Sequence, residues 1–275
     1  MKKFDGILFC TDLDGTLLRN DKSISKENLE AIAHFQEEGG LFTFVTGRMP
    51  FTSYDLYQIV KPNAPIGCIN GGGVYDYNTQ SYVWKQEISR DVLELVEYAD
   101  KSLDKIGIQA NTFTKVYFCK ENSAMARFRR NTGVPNLSLP YHEIREPLAK
   151  IVFGDENSDN IERLSELLSK HPRAQDFDFI RSESPLYEIL PKGIHKGCAL
   201  TRLASQFSNG GRRLKTIAVG DYENDIGMLR AADLGVAVSN ATENVKRAAD
   251  HITVSNEEHA IARIIADLES GSLKL

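Results

Sequence analysis

Long hydrophobic runs are missing from this sequence of 275 residues. No apolar stretch approaches the roughly 18 residues that a membrane-spanning helix requires, so we expect no membrane partner. The apolar stretch near the amino terminus is interrupted by Asp5 and ends early at Asp12. This pattern is not typical of a signal peptide.

Cysteine is scarce, and histidines are never spaced as metal ligands usually are. The four cysteines, Cys10, Cys68, Cys119 and Cys198, lie far apart and form no CxxC pair. They are typical of reduced, mostly buried thiols, and they predict a cytoplasmic protein. The six histidines show no HxxxH or Cys/His spacing, so nothing indicates a zinc site.

An excess of positive charge is also absent, because the formal net charge is −5. A protein that binds nucleic acid usually presents a basic face. The run GGRRLK at 210–215 is too short to form one, so we expect no nucleic-acid partner. The length is sufficient for two domains and for a large buried core.

Apolar runs that alternate with amphipathic stretches occupy both ends of the chain. The runs at 7–11, 41–45 and 66–69 predict the first three strands, and Ser25 is predicted to cap the helix between the first two. Three further runs continue the alternation near the other end, at 215–219, 234–238 and 251–254. This order predicts an α/β fold with a Rossmann-like parallel sheet.

The middle of the chain has a different pattern. Its aromatic and β-branched runs, such as SYVWKQEI at 81–88, show the partial period of two that half-exposed antiparallel strands have. We therefore predict an α+β domain inserted at 81–187 into a core formed by residues 1–80 and 188–275. Turn-rich segments at 76–80 and 183–193 mark the two crossings.

Acidic residues follow two of the predicted core strands. Asp12 and Asp14 come directly after the first run, and Asp221 and Asp225 follow the run at 215–219. Ligands of open α/β sheets bind outside the carboxyl ends of the strands, so these side chains would converge at one edge. Two carboxylates about 4 Å apart repel by roughly 4 kcal/mol at an effective dielectric constant of 20, so the cluster requires a cation or protons. Oxygen ligands favour Mg²⁺, which commonly binds a substrate phosphate as well.

Three further residues would contact that phosphate. Thr46 and the amide of Gly47 follow the run at 41–45 and offer hydrogen bonds, and Lys196 offers positive charge. Structural alternatives stay open for each of them. Thr46 and Gly47 would also suit the start of a helix, Lys196 would also suit a solvated surface, and Asp12 with Asp14 would also suit a turn that caps a helix.

In this order the motifs resemble the four ordered motifs of the haloacid dehalogenase superfamily. They are DLDGT at 12–16, Thr46, Lys196 and GDYENDIGML at 220–229. The insert resembles the large α/β cap of the Cof-type subgroup, and so do three shorter segments: VTGR at 45–48, NGG at 70–72 and ILPKGIHKG at 189–197. The resemblance implies a phosphatase with a catalytic core and a cap that determines substrate specificity.

The resemblance also implies catalytic and metal-binding roles. Asp12 would be the nucleophile that forms an aspartyl-phosphate, and Asp14 would protonate the leaving alcohol and later activate water. Mg²⁺ would be bound by the carboxylates of Asp12 and Asp221 and by the backbone carbonyl of Asp14. Asp225 would be a direct or water-mediated ligand.

A further set of residues is implied to bind the substrate: Thr46, Gly47, Arg48, Asn70, Lys196 and Asn224. Thr46 and Lys196 would hold the transferring phosphoryl group. Arg48 would also suit a surface ion pair, and Asn70 would also suit a turn before the glycines that follow it. Asp221 with Asn224 would also suit the start of a helix.

The sequence therefore predicts a Mg²⁺-dependent phosphatase of small phosphorylated metabolites, with sugar phosphates the favoured class, and a monomer or small homo-oligomer. Two alternatives stay open. A sugar phosphomutase would return the phosphoryl group to its substrate, and a non-catalytic metabolite-binding protein would keep the fold without the reaction. Phosphate release without a bisphosphate activator would argue against the mutase, and ligand binding without any release would indicate the binding protein.

Overall fold

The structure is a computed structural model that describes residues 2–183, 185–208 and 213–275. Residues 210–212 of the basic run, and one residue of the second predicted crossing, lie outside the described residues. The strands are, in chain order, β1 Ile7–Thr11, β2 Leu41–Phe44, β3 Ile66–Cys68, β4 Gly73–Asp76, β5 Ser81–Lys85, β6 Gly107–Thr112, β7 Val116–Lys120, β8 Leu148–Gly154, β9 Phe177–Glu183, β10 Leu186–Pro191, β11 Lys215–Gly220, β12 Leu234–Ala237 and β13 His251–Ile252.

The helices alternate with these strands. They are α1 Lys26–Glu37, α2 Tyr54–Val60, α3 Val92–Ser102, α4 Ser123–Thr132, α5 Ser158–Ser169, α6 Lys196–Phe207, α7 Ile226–Ala231, α8 Glu243–Ala248 and α9 Ala260–Ser270. In the part of the chain that the structure describes, none of them has the length and apolar character needed to cross a membrane.

The chain divides into two compact units. Unit 1 comprises Met1–Lys85 and His195–Leu275, and unit 2 is the continuous segment Gln86–Ile194 between them. Both crossings therefore differ from the bounds predicted at 81 and 187. The reason is strand pairing: β5 pairs with β4 of unit 1, whereas β10 pairs with β8 and β9 of unit 2.

A parallel sheet forms the centre of unit 1, with the strand order β13-β12-β11-β1-β2. β1 lies between β11 and β2, and its residues Leu8, Phe9 and Cys10 have no exposed surface. Strands that are buried on both faces appear in a sequence as continuous apolar runs without alternation. The prediction of an α/β fold with a parallel core sheet is confirmed.

A second sheet of unit 1 is antiparallel and has the order β3-β4-β5. The run at 66–69 was predicted as the third strand, and it forms β3 of this sheet. β3 pairs with β4 and meets the chain after β2 through a single parallel bridge between Val45 and Gly67. A three-residue strand carries too little pattern to specify its partner.

Unit 2 is built on an antiparallel sheet with the order β7-β6-β8-β10-β9. An apolar cluster joins residues of these strands to α3 and α5. Its buried members include Val92, Leu95, Ile151, Phe153 and Leu164. The predicted α+β character of the middle segment is therefore confirmed.

Candidate active site

The carboxyl ends of β1 and β11 lie side by side, and this places the predicted acidic residues together. The parallel register aligns Thr11 with Val219, and the backbone N–H of Asp12 donates to the carbonyl of Val219 at 2.9 Å. Asp221 directly follows β11, and Asp225 lies in the short 3₁₀ turn that precedes α7. Residues from opposite ends of the chain thus meet at one edge of the sheet.

Three carboxylates form the centre of the site. Asp12, Asp221 and Asp225 each offer one oxygen, and these oxygens all lie within 4.8 Å of one another. Asp225 is fully buried and Asp12 is 6% exposed. In such surroundings the mutual repulsion of the three charges is only weakly screened by solvent.

Lys196 lies against this cluster at the first position of α6. Its Nζ donates to Asp12 Oδ1 and to Asp225 Oδ1, each at 2.6 Å. Burial lowers the pKa of Lys196, but the charges of Asp12 and Asp225 outweigh burial and hold that pKa above its ordinary value. Lys196 is therefore a buried ammonium group, not a solvated one.

The pKa values of Asp12 and Asp221 are also raised, and for an acid this disfavours the charged form. Burial raises the pKa of Asp12 well above its ordinary value; Lys196 opposes the rise, and the charges of Asp225 and Asp221 add to it. Burial, together with the charge of Asp225, raises the pKa of Asp221 to about 6. Three carboxylates and one ammonium leave a net charge of −2 when all are ionised, which a divalent cation would neutralise. The oxygen donors of the cluster fit such a hard cation.

Backbone and hydroxyl groups hold the cluster in place. Asp225 Oδ2 accepts hydrogen bonds from the backbone N–H groups of Asp221 and Tyr222, at 3.0 and 3.2 Å. Thr16 Oγ1 donates to Asp221 Oδ1 at 2.8 Å. Thr16 lies in the motif at 12–16, but no role was predicted for it. These three hydrogen bonds fix the orientation of the Asp221 and Asp225 carboxylates.

Gly15 permits the close approach of Asp221. Its φ is +79°, and a Cβ at this position would lie 2.4 Å from Asp221 Oδ2. Both the backbone conformation and the missing side chain are therefore required here. This gives a physical reason for glycine in the motif at 12–16.

The Asp14 side chain is held by two basic residues. Arg48 donates two hydrogen bonds to the Asp14 carboxylate, from Nε to Oδ2 at 2.9 Å and from Nη2 to Oδ1 at 2.8 Å. Lys22 Nζ also donates to Oδ1, at 2.9 Å. Burial raises the pKa of Asp14, but the hydrogen bonds and charges of Arg48 and Lys22 outweigh burial and hold it below its ordinary value. Lys22 was missed, because one lysine in a polar loop carries no sequence signal.

Two hydrogen bonds from backbone N–H groups connect Thr46 to Arg48 and Asn70 next to this edge. Thr46 Oγ1 accepts from the N–H of Arg48 at 3.2 Å, and the N–H of Asn70 donates to the carbonyl of Thr46 at 3.0 Å. Asn70 is buried, has a φ of 52°, and accepts a hydrogen bond from Asn224 Nδ2 at 3.0 Å. A Cβ on Gly47 would lie 2.8 Å from Asn70 Oδ1. Every residue that was predicted to bind the substrate therefore lies in unit 1.

A divalent cation bound at the cluster would stabilise the protein to an extent that depends on pH. The pKa of Asp221 is higher in the folded state, about 6, than its ordinary value of 3.8. The stabilisation that comes from protonation of Asp221 is therefore fully present below about pH 4, and it is lost as the pH rises through about 6. A bound cation would compensate for that loss where all three carboxylates are ionised. We expect millimolar MgCl₂ to raise the melting temperature more at about pH 7.5 than at about pH 5, as measured by circular dichroism.

The variant Asp221→Asn supplies the control for this measurement. It removes the titrating group and also one carboxylate of the cation site, so the Mg²⁺-induced shift itself should be small at both pH values. Equal Mg²⁺-induced shifts of the wild-type melting temperature at both pH values would contradict the interpretation.

Known proteins are similar to this chain over nearly its full length. The family model of haloacid dehalogenase-like hydrolases matches residues 9–265. The chain is 28% identical over 266 residues to 5-amino-6-(5-phospho-D-ribitylamino)uracil phosphatase YitU of Bacillus subtilis, covering 94% of this chain and 96% of that protein. It is 26% identical over 286 residues to phosphatase YwpJ of the same organism, covering 95% and 99%. A haloacid dehalogenase-like hydrolase from Bacteroides thetaiotaomicron has a similar fold, with a TM-score of 0.79, 24% identity, and coverage of 96% and 99%.

The chain belongs to the haloacid dehalogenase-like hydrolases, because the family model matches most of its length. It is an enzyme, and its activity is that of a phosphatase. The resemblance that the four motifs indicated is thus confirmed.

Proposed function

We propose that this enzyme is a Mg²⁺-dependent phosphatase that hydrolyses small phosphorylated metabolites, sugar phosphates above all, through an aspartyl-phosphate on Asp12. One observation carries the proposal. Asp12, Asp221 and Asp225 meet within 4.8 Å at the carboxyl edge of a parallel sheet, and Lys196 Nζ lies 2.6 Å from two of them. This arrangement combines a nucleophile, a cation site and a fixed positive charge.

In the first step, an oxygen of Asp12 attacks the phosphorus of the substrate, and the bond from phosphorus to the leaving oxygen breaks. An anionic nucleophile approaches an anionic phosphate, so positive charge has to offset the repulsion. Lys196 provides that charge at the Asp12 carboxylate itself. In the second step, water attacks the phosphorus, the bond to Asp12 breaks, and inorganic phosphate leaves.

Asp14 acts as the general acid of the first step and as the general base of the second. It would give a proton to the leaving alcohol and then take one from the attacking water. Arg48 and Lys22 hold its carboxylate in the ionised form, which suits the second step. Asp14 therefore has to gain a proton before it can serve as the acid of the first step.

Thr46, the amide of Gly47 and Lys196 would hold the phosphoryl oxygens by hydrogen bonds and charge. Arg48, Asn70 and Asn224 would lie around the bound substrate.

Mg²⁺ would be held by the carboxylates of Asp12 and Asp221 and by the backbone carbonyl of Asp14, with Asp225 as a direct or water-mediated ligand. When bound, it supplies a Lewis acid that withdraws charge from the phosphoryl oxygens. The chain itself provides the frame for it, because Thr16 and two backbone N–H groups fix the orientation of Asp221 and Asp225.

The relatives support a substrate whose leaving group is rich in hydroxyls. YitU is named for a phosphorylated ribitylamino-uracil, in which the phosphate is carried by a ribityl chain. Sugar phosphates share that feature. We assign recognition of the leaving group to unit 2, which corresponds to the inserted domain predicted from the sequence.

Removal of divalent cations is expected to abolish the phosphatase activity. The measurement is release of inorganic phosphate from a panel of sugar phosphates, nucleotides and cofactor phosphates, first with EDTA and then with excess MgCl₂. We expect release to fall to background with EDTA and to recover with MgCl₂, because the net negative cluster needs a cation to accept a phosphate.

The reaction is run without any bisphosphate activator, since phosphate release under that condition separates hydrolysis from a mutase. Full activity in EDTA would contradict the metal role. No release from any substrate would contradict the phosphatase proposal as a whole.

Cytoplasmic location, the absence of nucleic-acid and membrane partners, and a monomeric or small homo-oligomeric state stay predictions of the sequence. None of the four cysteines forms a disulfide in the described part of the chain.

A further inference from the structure

The segment that follows β12 contacts both sides of the acidic centre. The N–H of Thr242 donates to the carbonyl of Asp221 at 3.0 Å, and Asn240 Nδ2 donates to the carbonyl of Gly15 at 2.9 Å. Gly15 and Asp221 are the two residues whose close approach requires a glycine. Residues 238–242, which we call the β12 loop, therefore connect by hydrogen bonds the two segments that meet there.

A second asparagine orients the side chain of Asn240. The backbone N–H of Asn256 donates to Asn240 Oδ1 at 3.0 Å, so that the donor end of the same amide faces Gly15. Asn256 is itself buried, and its Nδ2 donates to the carbonyl of Leu18 at 3.0 Å. The two asparagines thus hold two carbonyls of the turn at 12–18, which carries the first motif.

The turn at 12–18 has weak support of its own. The N–H groups of Thr16 and Leu17 donate within it at 3.3 Å, which is longer than a usual N–H···O hydrogen bond. Gly15 lies in the left-handed region, with a φ of +79°, and it has no side chain that could pack. The hydrogen bond from Asn240 therefore supplies support from outside the turn.

This contact should matter more for the reaction than for the fold. Asn240 is exposed, and a single hydrogen bond contributes modestly to stability. A displacement of about 1 Å at an active site, by contrast, can lower the rate by about 100-fold. A shift of the Gly15 peptide would displace the neighbouring carbonyl of Asp14 and the hydrogen bond from Thr16 to Asp221.

We propose that Asn240 is a positioning residue of the phosphatase, because its hydrogen bond to Gly15 sets the turn at 12–18 against Asp221. The side chain of Asn240 bonds to Gly15 and to Asn256. It acts through the backbone of the turn and not through a contact with the phosphate. This inference rests on the proposed phosphatase function and adds a residue that lies outside the four motifs.

Asn240→Ala tests the proposal, and Asn63→Ala is its matched control. Asn63 of the same unit makes an equivalent pair of contacts: its Nδ2 donates to the carbonyl of Gly40 at 2.9 Å, and its Oδ1 accepts from the N–H of Phe42 at 2.8 Å. Both asparagines are exposed. Asn63 contacts the amino-terminal end of β2, opposite the acidic edge, so its removal leaves the acidic centre unchanged.

The first measurement is phosphate release from hexose and pentose monophosphates in excess MgCl₂. For Asn240→Ala we expect kcat to fall by at least about fivefold, because the turn is no longer held in place. KM should stay within about threefold of wild type, since the residue does not contact the substrate. Asn63→Ala should keep the wild-type kcat, and the melting temperatures of both variants should fall by a similar amount, at most about 4 °C.

The second measurement does not depend on turnover. A displaced turn would separate the carbonyl of Asp14 and the carboxylate of Asp12 from Asp221, so a divalent cation should bind more weakly. We expect millimolar MgCl₂ to raise the melting temperature of Asn240→Ala by less than about half of the shift that it produces in Asn63→Ala.

The outcomes separate the two levels of the proposal. A fall in kcat that is confined to Asn240→Ala, together with the smaller Mg²⁺-induced shift, supports the inference. A fall of less than about fivefold, equal losses of kcat in both variants, or equal Mg²⁺-induced shifts overturn the inference and leave the phosphatase proposal intact. A wild type that releases no phosphate from any substrate overturns the phosphatase proposal, and the inference with it.

Discussion

Replacement of Asp12 by asparagine is expected to abolish phosphate release without unfolding the protein. The amide cannot act as the nucleophile, so we expect kcat to fall by at least about 10³-fold, as is usual when a covalent nucleophile is removed. The melting temperature should stay close to wild type, because Asp12 is one of three crowded carboxylates and its burial already disfavours its charge. Phosphate release at saturating substrate and thermal unfolding by circular dichroism measure the two effects.

Asp250→Asn is the matched control for this variant. Asp250 also lies in unit 1, where its Oδ2 accepts a hydrogen bond from the N–H of Gly235 at 2.8 Å, outside the acidic cluster. The Asp250→Asn variant should lose some stability and keep its phosphatase activity. More than about a tenth of wild-type activity in Asp12→Asn would contradict the role of nucleophile.

Replacement of Lys196 by methionine is expected to weaken both the fold and the reaction. Nζ of Lys196 bridges two buried carboxylates at 2.6 Å, and its removal leaves Asp12 and Asp225 facing each other without a counter-charge. Breaking a buried ion pair from one side costs about 3–5 kcal/mol, which corresponds to a fall of roughly 10 °C in the melting temperature of a protein of this size. We also expect kcat to fall by about 10²-fold or more, since the charge that offsets the repulsion is lost.

Two comparisons make that result specific. Lys101→Met breaks an exposed pair with Glu97, and it should change the free energy of unfolding by less than about 1 kcal/mol. Adding Asp225→Asn to Lys196→Met should restore part of the lost stability, because one unpaired buried charge is removed. A melting temperature of Lys196→Met equal to that of Lys101→Met would refute the bridging role.

Much of unit 1 was predictable because its signals are local. The run at 7–11 is β1 itself, and Ser25 caps α1, where its side chain accepts a hydrogen bond from the N–H of Asn28 at 3.2 Å. A buried strand and a capped helix start are both encoded in a few neighbouring residues. The acidic edge followed from strand ends and from the rule that parallel strands share an edge.

The features that were missed depend on contacts between distant residues. No sequence signal near residue 66 indicates that β3 pairs with β4. The assignment of β5 to unit 1 likewise depends on its pairing with β4. Thr16 acquires its role only from Asp221, 205 positions later. The hydrogen bonds of Lys22 and Arg48 to the Asp14 carboxylate likewise depend on residues 8 and 34 positions away. Such preferences are set by tertiary geometry, which local composition does not record.

The split of unit 1 across the sequence has a consequence for biosynthesis. A ribosome delivers the whole of unit 2, with its own apolar cluster, before β11 begins at Lys215. Until then β1 has a neighbour on one flank only, and the growing chain contains Asp12 but neither Asp221 nor Asp225. We therefore expect the inserted unit to fold first and the acidic centre to form only as translation nears its end.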